Sequence, residues 1–324
     1  MGSFITLSIV QSALELGFIY SLVALALYIS FSILDIADLS TDGCFTLGCA
    51  VCAMVTISGH PLLALLAAAG AGIISGFVTA FLQTKMGIQS ILAGIIVNTG
   101  LYTINIAVMG FSSKLNLFGK DTIFTWGKEI FGSSWSQLLI VAVIVIAVGA
   151  LIALFLNTRL GLSIRATGDN PDMVRASSIN TKVMITIGLC VANALTGLSG
   201  GLLAQYQRSC DINLGTGMVT IALASLIIGQ TLINRGPVFV RVLGVIFGSC
   251  LYRFIVAIAL RLNVPAECLK LVSAVIVAFA IAFPYLKKQF GFFRTKQRAK
   301  AENQEYIREL ESQTEELKGE AEHE

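Results

Sequence analysis

The sequence predicts an all-α protein, a polytopic transmembrane helical bundle of about nine or ten spans. Three observations carry this. Apolar residues fill 56% of the 324 positions and charged residues only 13%, with a mean hydropathy of +0.82; a soluble chain carries about 25% charged residues. Many apolar runs reach the roughly 20 residues that a hydrocarbon core of about 30 Å demands. The Lys and Arg residues gather in alternate gaps between those runs, as short cytoplasmic loops require.

The first run, about 7–34, starts at Leu7 without a basic segment before it and continues past Leu27. It therefore reads as a span rather than a cleavable leader. An acidic, irregular stretch from Asp35 to Gly43 separates it from a second run, about 43–59. That run is short and reads as a span or as a broken, re-entrant segment, hence nine or ten. Gly59-His60-Pro61 turns the chain into a third run, about 62–84, and Lys85-Met86-Gly87 precedes a fourth, about 88–109. The stretch 110–136 does not span: it holds two Trp, three Lys and several Gly. A fifth run covers about 137–157 and a sixth about 183–204, with a polar insert between them. A polar link at 205–216 leads to the seventh, about 217–233, the eighth, about 238–260, and the ninth, about 268–286. The division is a membrane domain, 1–286, and a charged tail, 287–324, holding eight Lys/Arg and nine Glu. The tail has strong helix formers but no core-facing stripe, so it reads as a solvated cytoplasmic helix.

Orientation follows from the basic residues. Lys287, Lys288, Arg294, Lys296, Arg298 and Lys300 hold the tail inside. Counting back places Arg235 and Arg241, the insert 159–182 and Lys85 inside as well, with 110–136 and 205–216 outside. Lys114, Lys120 and Lys128 are a mild exception.

The insert carries Arg159, Arg165, Arg175 and Lys182 against Asp169 and Asp172. Asn170 reads as an N-cap, Pro171 as the first helical residue and Asp172 as a first-turn acid, so a short helix is expected here. Such a helix on the inner face is a handle for a soluble partner.

Little in the chain suggests catalysis. Gly119-Lys120 and Gly127-Lys128 lack the upstream Gly of a phosphate-binding loop. His60 and His323 are the only histidines, and Gly-x-Ser-x-Gly is absent. Cys49-Ala-Val-Cys52 has no second pair to complete a zinc set, so the seven cysteines read as small apolar side chains, and no metal or cofactor is expected. Neither part is basic enough to suggest nucleic acid. Asn98, Tyr102 and Asn105 fall at i, i+4 and i+7, one face of the fourth run. They read as the lining of a path for a polar solute, slightly ahead of interhelical hydrogen bonding. Glu15 and Arg253 lie inside spans and read as a structural pair, with snorkelling of Arg253 as the alternative. Glu267 and Lys270 are placed to satisfy each other. Gly72-x-x-x-Gly76, Gly244-x-x-x-Gly248 and Gly197 to Gly201 read as close-packing sites.

The insert from Leu160 through Gly161, Arg165, Ala166, Gly168, Asn170, Arg175, Ala176 and Ile179 to Asn180 resembles the coupling segment of ABC-importer permeases of the branched-chain amino acid/ribose/nucleoside class. Leu34 to Gly48, Ala192-Asn193-Ala194 to Gln207, and Ile227-Ile228-Gly229-Gln230 are similar to the same class. The second and third of these are closest to a subgroup associated with aromatic amino acids such as tryptophan or tyrosine. The resemblance covers about 7–286. It implies a type II importer-like permease fold and a small polar nutrient as cargo, an amino acid before a sugar or nucleoside. It further implies two cytoplasmic ATPase subunits, a second permease copy and an extracytoplasmic substrate-binding protein. The ATPase-coupling residues would be Arg165, Gly168, Asp169, Asn170, Pro171, Arg175, Ala176 and Ser177. One departure stands out: Ser178 occupies a place before Ile-Asn where the family often has Gly, which most easily takes φ > 0 after a helix. Two readings of other classes remain. A secondary transporter would have only Glu15 and Glu267 inside its spans for ion coupling. A membrane-embedded receptor or interaction protein would not transport at all.

Overall fold

In the computed structural model the described residues are 7–132, 135–233 and 236–261, with isolated positions beyond. All elements below belong to one compact unit, residues 1–277. The expected ninth run, the Glu267–Lys270 pair, Arg235, Cys268 and the tail lie outside the described residues.

Eight apolar helices match the first eight runs. They are α1 (Leu7–Leu27), α2 (Thr41–Ile57), α3 (Pro61–Thr84), α4 (Ser90–Val108), α6 (Ser136–Asn157), α9 (Thr181–Gln207), α10 (Met218–Leu232) and α11 (Val238–Arg261). Six of them are long and apolar enough to cross a bilayer; α2 and α10 are shorter. Between them lie β1 (Lys114–Asn116), α5 (Ile123–Phe131), α7 (Arg159–Asp169), α8 (Pro171–Ala176) and β2 (Ser209–Asp211). The membrane class stands, with the ends trimmed: α2 begins at Thr41, two residues before the expected start, and includes Asp42. Helix α1 does not stop at Leu27 but runs on as a π-helical turn, Tyr28–Ile33, with Leu34 N–H donating to the Ile29 carbonyl at 3.0 Å. Such turns interrupt a regular helix and are frequent at functional sites.

Helices α1 and α9 form the core, and α2, α3, α6, α10 and α11 pack around them. The span containing α1 is 72% buried, whereas those of α4 and α6 are 28% buried. Their outward faces, with Ile95, Ile96, Ile104, Val143, Leu151 and Leu154 exposed, suit hydrocarbon or another apolar surface.

The glycines expected to allow close packing do so. A methyl group at Gly72 would overlap the Asn193 carbonyl, and one at Gly248 the Ser225 carbonyl. Gly48 meets the Gly197 backbone, and Gly200 meets the Phe45 carbonyl. Backbones at that separation gain dispersion contacts along their whole length, the attraction that holds helices together in lipid.

The loops separate into two ends. Strands β1 and β2 pair antiparallel, Leu115 opposite Cys210, so the stretches expected outside meet at one end. Fully buried Gln205 seals that end: its Oε1 accepts from Ile123 N–H at 3.0 Å, and its Nε2 donates to the Pro61 carbonyl at 2.8 Å. The same Nε2 lies 3.4 Å from Cys52 Sγ, and Cys49 and Cys52 are buried free thiols.

Candidate functional site

At the end expected to face outside, called the outer end below, Asn98, Tyr102 and Asn105 line one cleft of ≈420 Å³ together with Asp42, Gly43 and Thr46 of α2 and Asn213 and Thr216 after β2. The stripe read from α4 is thus one wall of a polar depression, and α2 and the β2–α10 loop supply the others. The three side chains differ in duty. Tyr102 is 53% exposed, while Asn105 is buried and donates from Nδ2 to the Gly43 carbonyl at 3.1 Å. Asn98 Oδ1 sits against Gly43, where any side chain would collide with it. Asn105 therefore also supplies the interhelical bond that was the competing reading of the stripe.

Asp42 holds the cleft together. Its Oδ2 accepts from Gly217 N–H and its Oδ1 from Val219 N–H, each at 2.9 Å. Gly217 precedes α10 and offers no side-chain cap, so a carboxylate from another helix meets the orphan donors and the positive end of the helix dipole. Thr46 Oγ1 accepts from Gly215 N–H at 3.1 Å and fixes the same loop. Among the described residues Asp42 is the only charged one lining the cleft, and both its oxygens are engaged. The free surface is amide, hydroxyl and phenol.

Between the two ends, Asp38 is buried in a polar node. Its Oδ1 accepts from Ser40 N–H at 2.8 Å and from Ser40 Oγ at 2.6 Å, and its Oδ2 accepts from Asn193 Nδ2 at 2.8 Å. Thr79 Oγ1 of α3 donates to Ser40 Oγ at 3.2 Å. The loop before α2, α3 and α9 are joined there.

The expected Glu15–Arg253 pair does not form. Glu15 accepts from the Tyr206 hydroxyl at 2.8 Å and from Gln11 Nε2 at 2.9 Å. The Arg253 guanidinium lies over the Tyr20 ring, 3.9 Å from its centroid. A hydroxyl and an amide hold the carboxylate, and the negative face of a ring attracts the cation, so each charge is served without the other.

At the end expected to face inside, called the inner end below, the short helix appears where the sequence placed it. Asn170 Oδ1 accepts from Asp172 N–H at 3.1 Å and Met173 N–H at 3.0 Å, and Pro171 opens α8. The preceding eleven residues also form a helix, α7, which the sequence analysis did not foresee. Its apolar pattern is short and its Gly content high, so its stability comes from packing. Gly168 meets the Ile33 carbonyl without room for a methyl, pinning α7 to the π-helical turn. Ser178 adopts φ 60, the left-handed geometry expected of Gly there. Ser178 N–H donates to the Arg175 carbonyl at 3.0 Å and Ile179 N–H to the Val174 carbonyl at 3.2 Å, so the helix end is closed despite the substitution.

The expected coupling residues fall into two groups. Asp169, Asn170, Pro171, Arg175, Ala176 and Ser177 are exposed, and exposed Met173 adds an apolar tip that charge patterning did not reveal. Gly168 packs inward, and Arg165, partly buried, turns with Asp169 toward a cavity against the bundle. The Arg175–Asp172 ion pair, 3.3 Å and largely exposed, contributes little. Asp42, Thr46, Asn213 and Thr216 were missed as cleft residues. Asp42 alone carried a signal, an acid at the mouth of an apolar run.

Residues 9–281 match the family described as branched-chain amino acid transport system / permease component. The chain is 34% identical over 272 residues to a tyrosine transport system permease protein of Clostridioides difficile, covering 84% of this chain and 90% of that one. It is 27% identical over 252 residues to the ribose import permease protein of Escherichia coli, 75% of each. A nucleoside ABC transporter permease protein of Lactococcus lactis is 24% identical over 231 residues, 64% of this chain and 59% of that one. No solved structure matches the chain significantly.

Proposed function

From the premise that this chain belongs to the branched-chain amino acid transport system permease family, we infer that its cargo is an amino acid, aromatic side chains favoured. The membership makes it the membrane-spanning permease subunit of an ABC importer, in which a separate subunit hydrolyses ATP. It displaces the secondary-transporter and receptor readings. The observation that carries the cargo reading is the outer cleft, which has amide, hydroxyl and phenol groups and, among the described residues, no charge but that of Asp42, whose two oxygens are hydrogen-bonded to the backbone. A zwitterion with an aromatic side chain has no net charge to be repelled or trapped there, and Tyr102 offers it a ring to stack on. The likeness to a tyrosine permease protein supports the same cargo. A second reading, a sugar or nucleoside, is favoured by the ribose and nucleoside relatives and suits the same hydroxyl-rich wall.

In this reading Asn98, Tyr102 and Asn105 line the path. Two permease copies enclose it, and an extracytoplasmic binding protein delivers solute to the outer end. Two cytoplasmic ATPases dock on α8 and its flanks, with the C-terminus on their side of the bilayer. Their closure moves α7 and α8 as a rigid body against the bundle. Uptake by proteoliposomes of the assembled importer tests the cargo: labelled tyrosine should enter and unlabelled tryptophan should compete. Uptake of ribose or uridine alone would refute it. Asn98→Leu and Asn105→Leu should impair uptake more than assembly; normal uptake by both would make the stripe mere packing. For coupling, Arg165→Glu combined with Arg175→Glu should abolish stimulation of ATP hydrolysis in a folded protein. Unchanged stimulation would remove the coupling assignment.

A further inference from the structure

The inner end holds a second cavity, ≈230 Å³, several times the roughly 30 Å³ share of a water molecule. Four elements wall it: the π-helical turn with Tyr28 and Ser32, α7 with Arg165 and Asp169, α10 with Gln230, and α11 with Arg241. Gln230 Nε2 donates to Ser32 Oγ at 2.6 Å, and the Tyr28 hydroxyl is within hydrogen-bonding reach of Arg241. The cavity thus contains two guanidinium groups and one carboxylate. Among the described residues only Arg175 and Asp172 form an ion pair, so none of these three charges has an ion-pair partner there. Two like charges walling one space repel each other until an anion enters, and a planar guanidinium suits a carboxylate. A bare phosphate would use the two arginines but would meet Asp169 as a like charge. A ligand carrying a carboxylate and an ammonium group uses all three.

We propose that this cavity binds a free α-amino acid from the cytoplasm, its carboxylate on Arg165 and Arg241 and its ammonium on Asp169. The assignment to the cytoplasmic side comes from the placement of Arg165 and Arg241 inside, and the link to the cargo rests on the amino-acid reading above. The occupant bridges α7 to the π-helical turn, α10 and α11. It therefore restrains the coupling segment and opposes the shift that ATPase closure must produce. Accumulated product would slow the importer in this way, by favouring one position of α7 through differential binding.

Hydrogen–deuterium exchange on the permease in nanodiscs tests the proposal without transport. L-Phenylalanine should slow exchange in residues 28–33 and 159–169. Phenethylamine, which lacks the carboxylate, and N-acetyl-L-phenylalanine, which lacks the ammonium, should not. Arg241→Gln should weaken the apparent affinity about tenfold or more, the effect of losing one charge-assisted hydrogen bond. If Arg241→Gln lowers the unfolding temperature, Asp169→Asn replaces it; that variant should lose phenylalanine protection while accepting inorganic phosphate. Protection by phosphate equal to that by phenylalanine in the native chain would overturn the proposal. So would phenylalanine protection that survives Arg241→Gln and Asp169→Asn. Failure of the amino-acid cargo would show separately, as absence of amino-acid uptake by the assembled importer.

Discussion

The outer cleft and the inner cavity are both built where helices end, yet they handle charge in opposite ways. In the cleft the only charged side chain among the described residues, Asp42, is held by Gly217 and Val219 N–H at 2.9 Å each, so its field serves α10. In the cavity Arg165, Arg241 and Asp169 have no ion-pair partners among the described residues. A solute crossing the cleft meets dipoles, which orient it without trapping it. A solute in the cavity meets fixed charges, which retain it. Conduction needs binding weak enough to release, whereas a sensor needs binding strong enough to register concentration. The difference teaches that, of these two spaces, the one with unpaired charges stands beside the segment proposed to move, and the other walls the proposed path.

The largest effect should come from the node between the two ends. Asp38→Ala leaves the Ser40 N–H and hydroxyl without their acceptor and Asn193 Nδ2 with the Leu189 carbonyl alone, in a buried site, at about 3 kcal/mol or more. The unfolding temperature in detergent should fall sharply and both ends should loosen; an unchanged midpoint would show that they are braced elsewhere. Asp42→Ala should cost about 2 kcal/mol, because the first turn of α10 loses its cap. Uptake should fall while phenylalanine protection of α7 persists, and loss of both together would break the comparison. Raising salt from low to high should weaken amino-acid binding at the inner cavity several-fold, since its arginines are partly or largely exposed. Solute uptake through the neutral cleft should change much less; an equal salt response at both ends would erase the contrast. The smallest effect is expected at Ser178→Gly, which relieves a left-handed residue at φ 60 and should stabilise the inner end by about 0.5–1 kcal/mol in thermal unfolding.

One wall of the outer cleft was legible in α4, because Asn98, Tyr102 and Asn105 share a helix face and helical periodicity is local. The cap of α8 was legible for the same reason: Asn170 reaches N–H groups only two and three residues on. Helix α7 was not legible, since its support is the Ile33 carbonyl, 135 positions away in the chain from Gly168. The Glu15–Arg253 pairing was misjudged because opposite charges in lipid suggest each other, while Tyr206 and Tyr20 lay closer to hand.

By itself the sequence determined the membrane class, the first eight apolar helices, the coupling-segment likeness and the absence of a phosphate-binding loop from the chain. The likeness is a resemblance to a family; the others follow from composition, periodicity and spacing, which act over a few residues. Only the tertiary structure decided which polar groups are free. Asp42 and Asp169 look alike as aspartates beside short helices. One meets the backbone of α10 from across the fold, and the other faces an arginine-lined space. A charge is neutralised by what surrounds it in three dimensions, and those neighbours come from segments that no local pattern brings together.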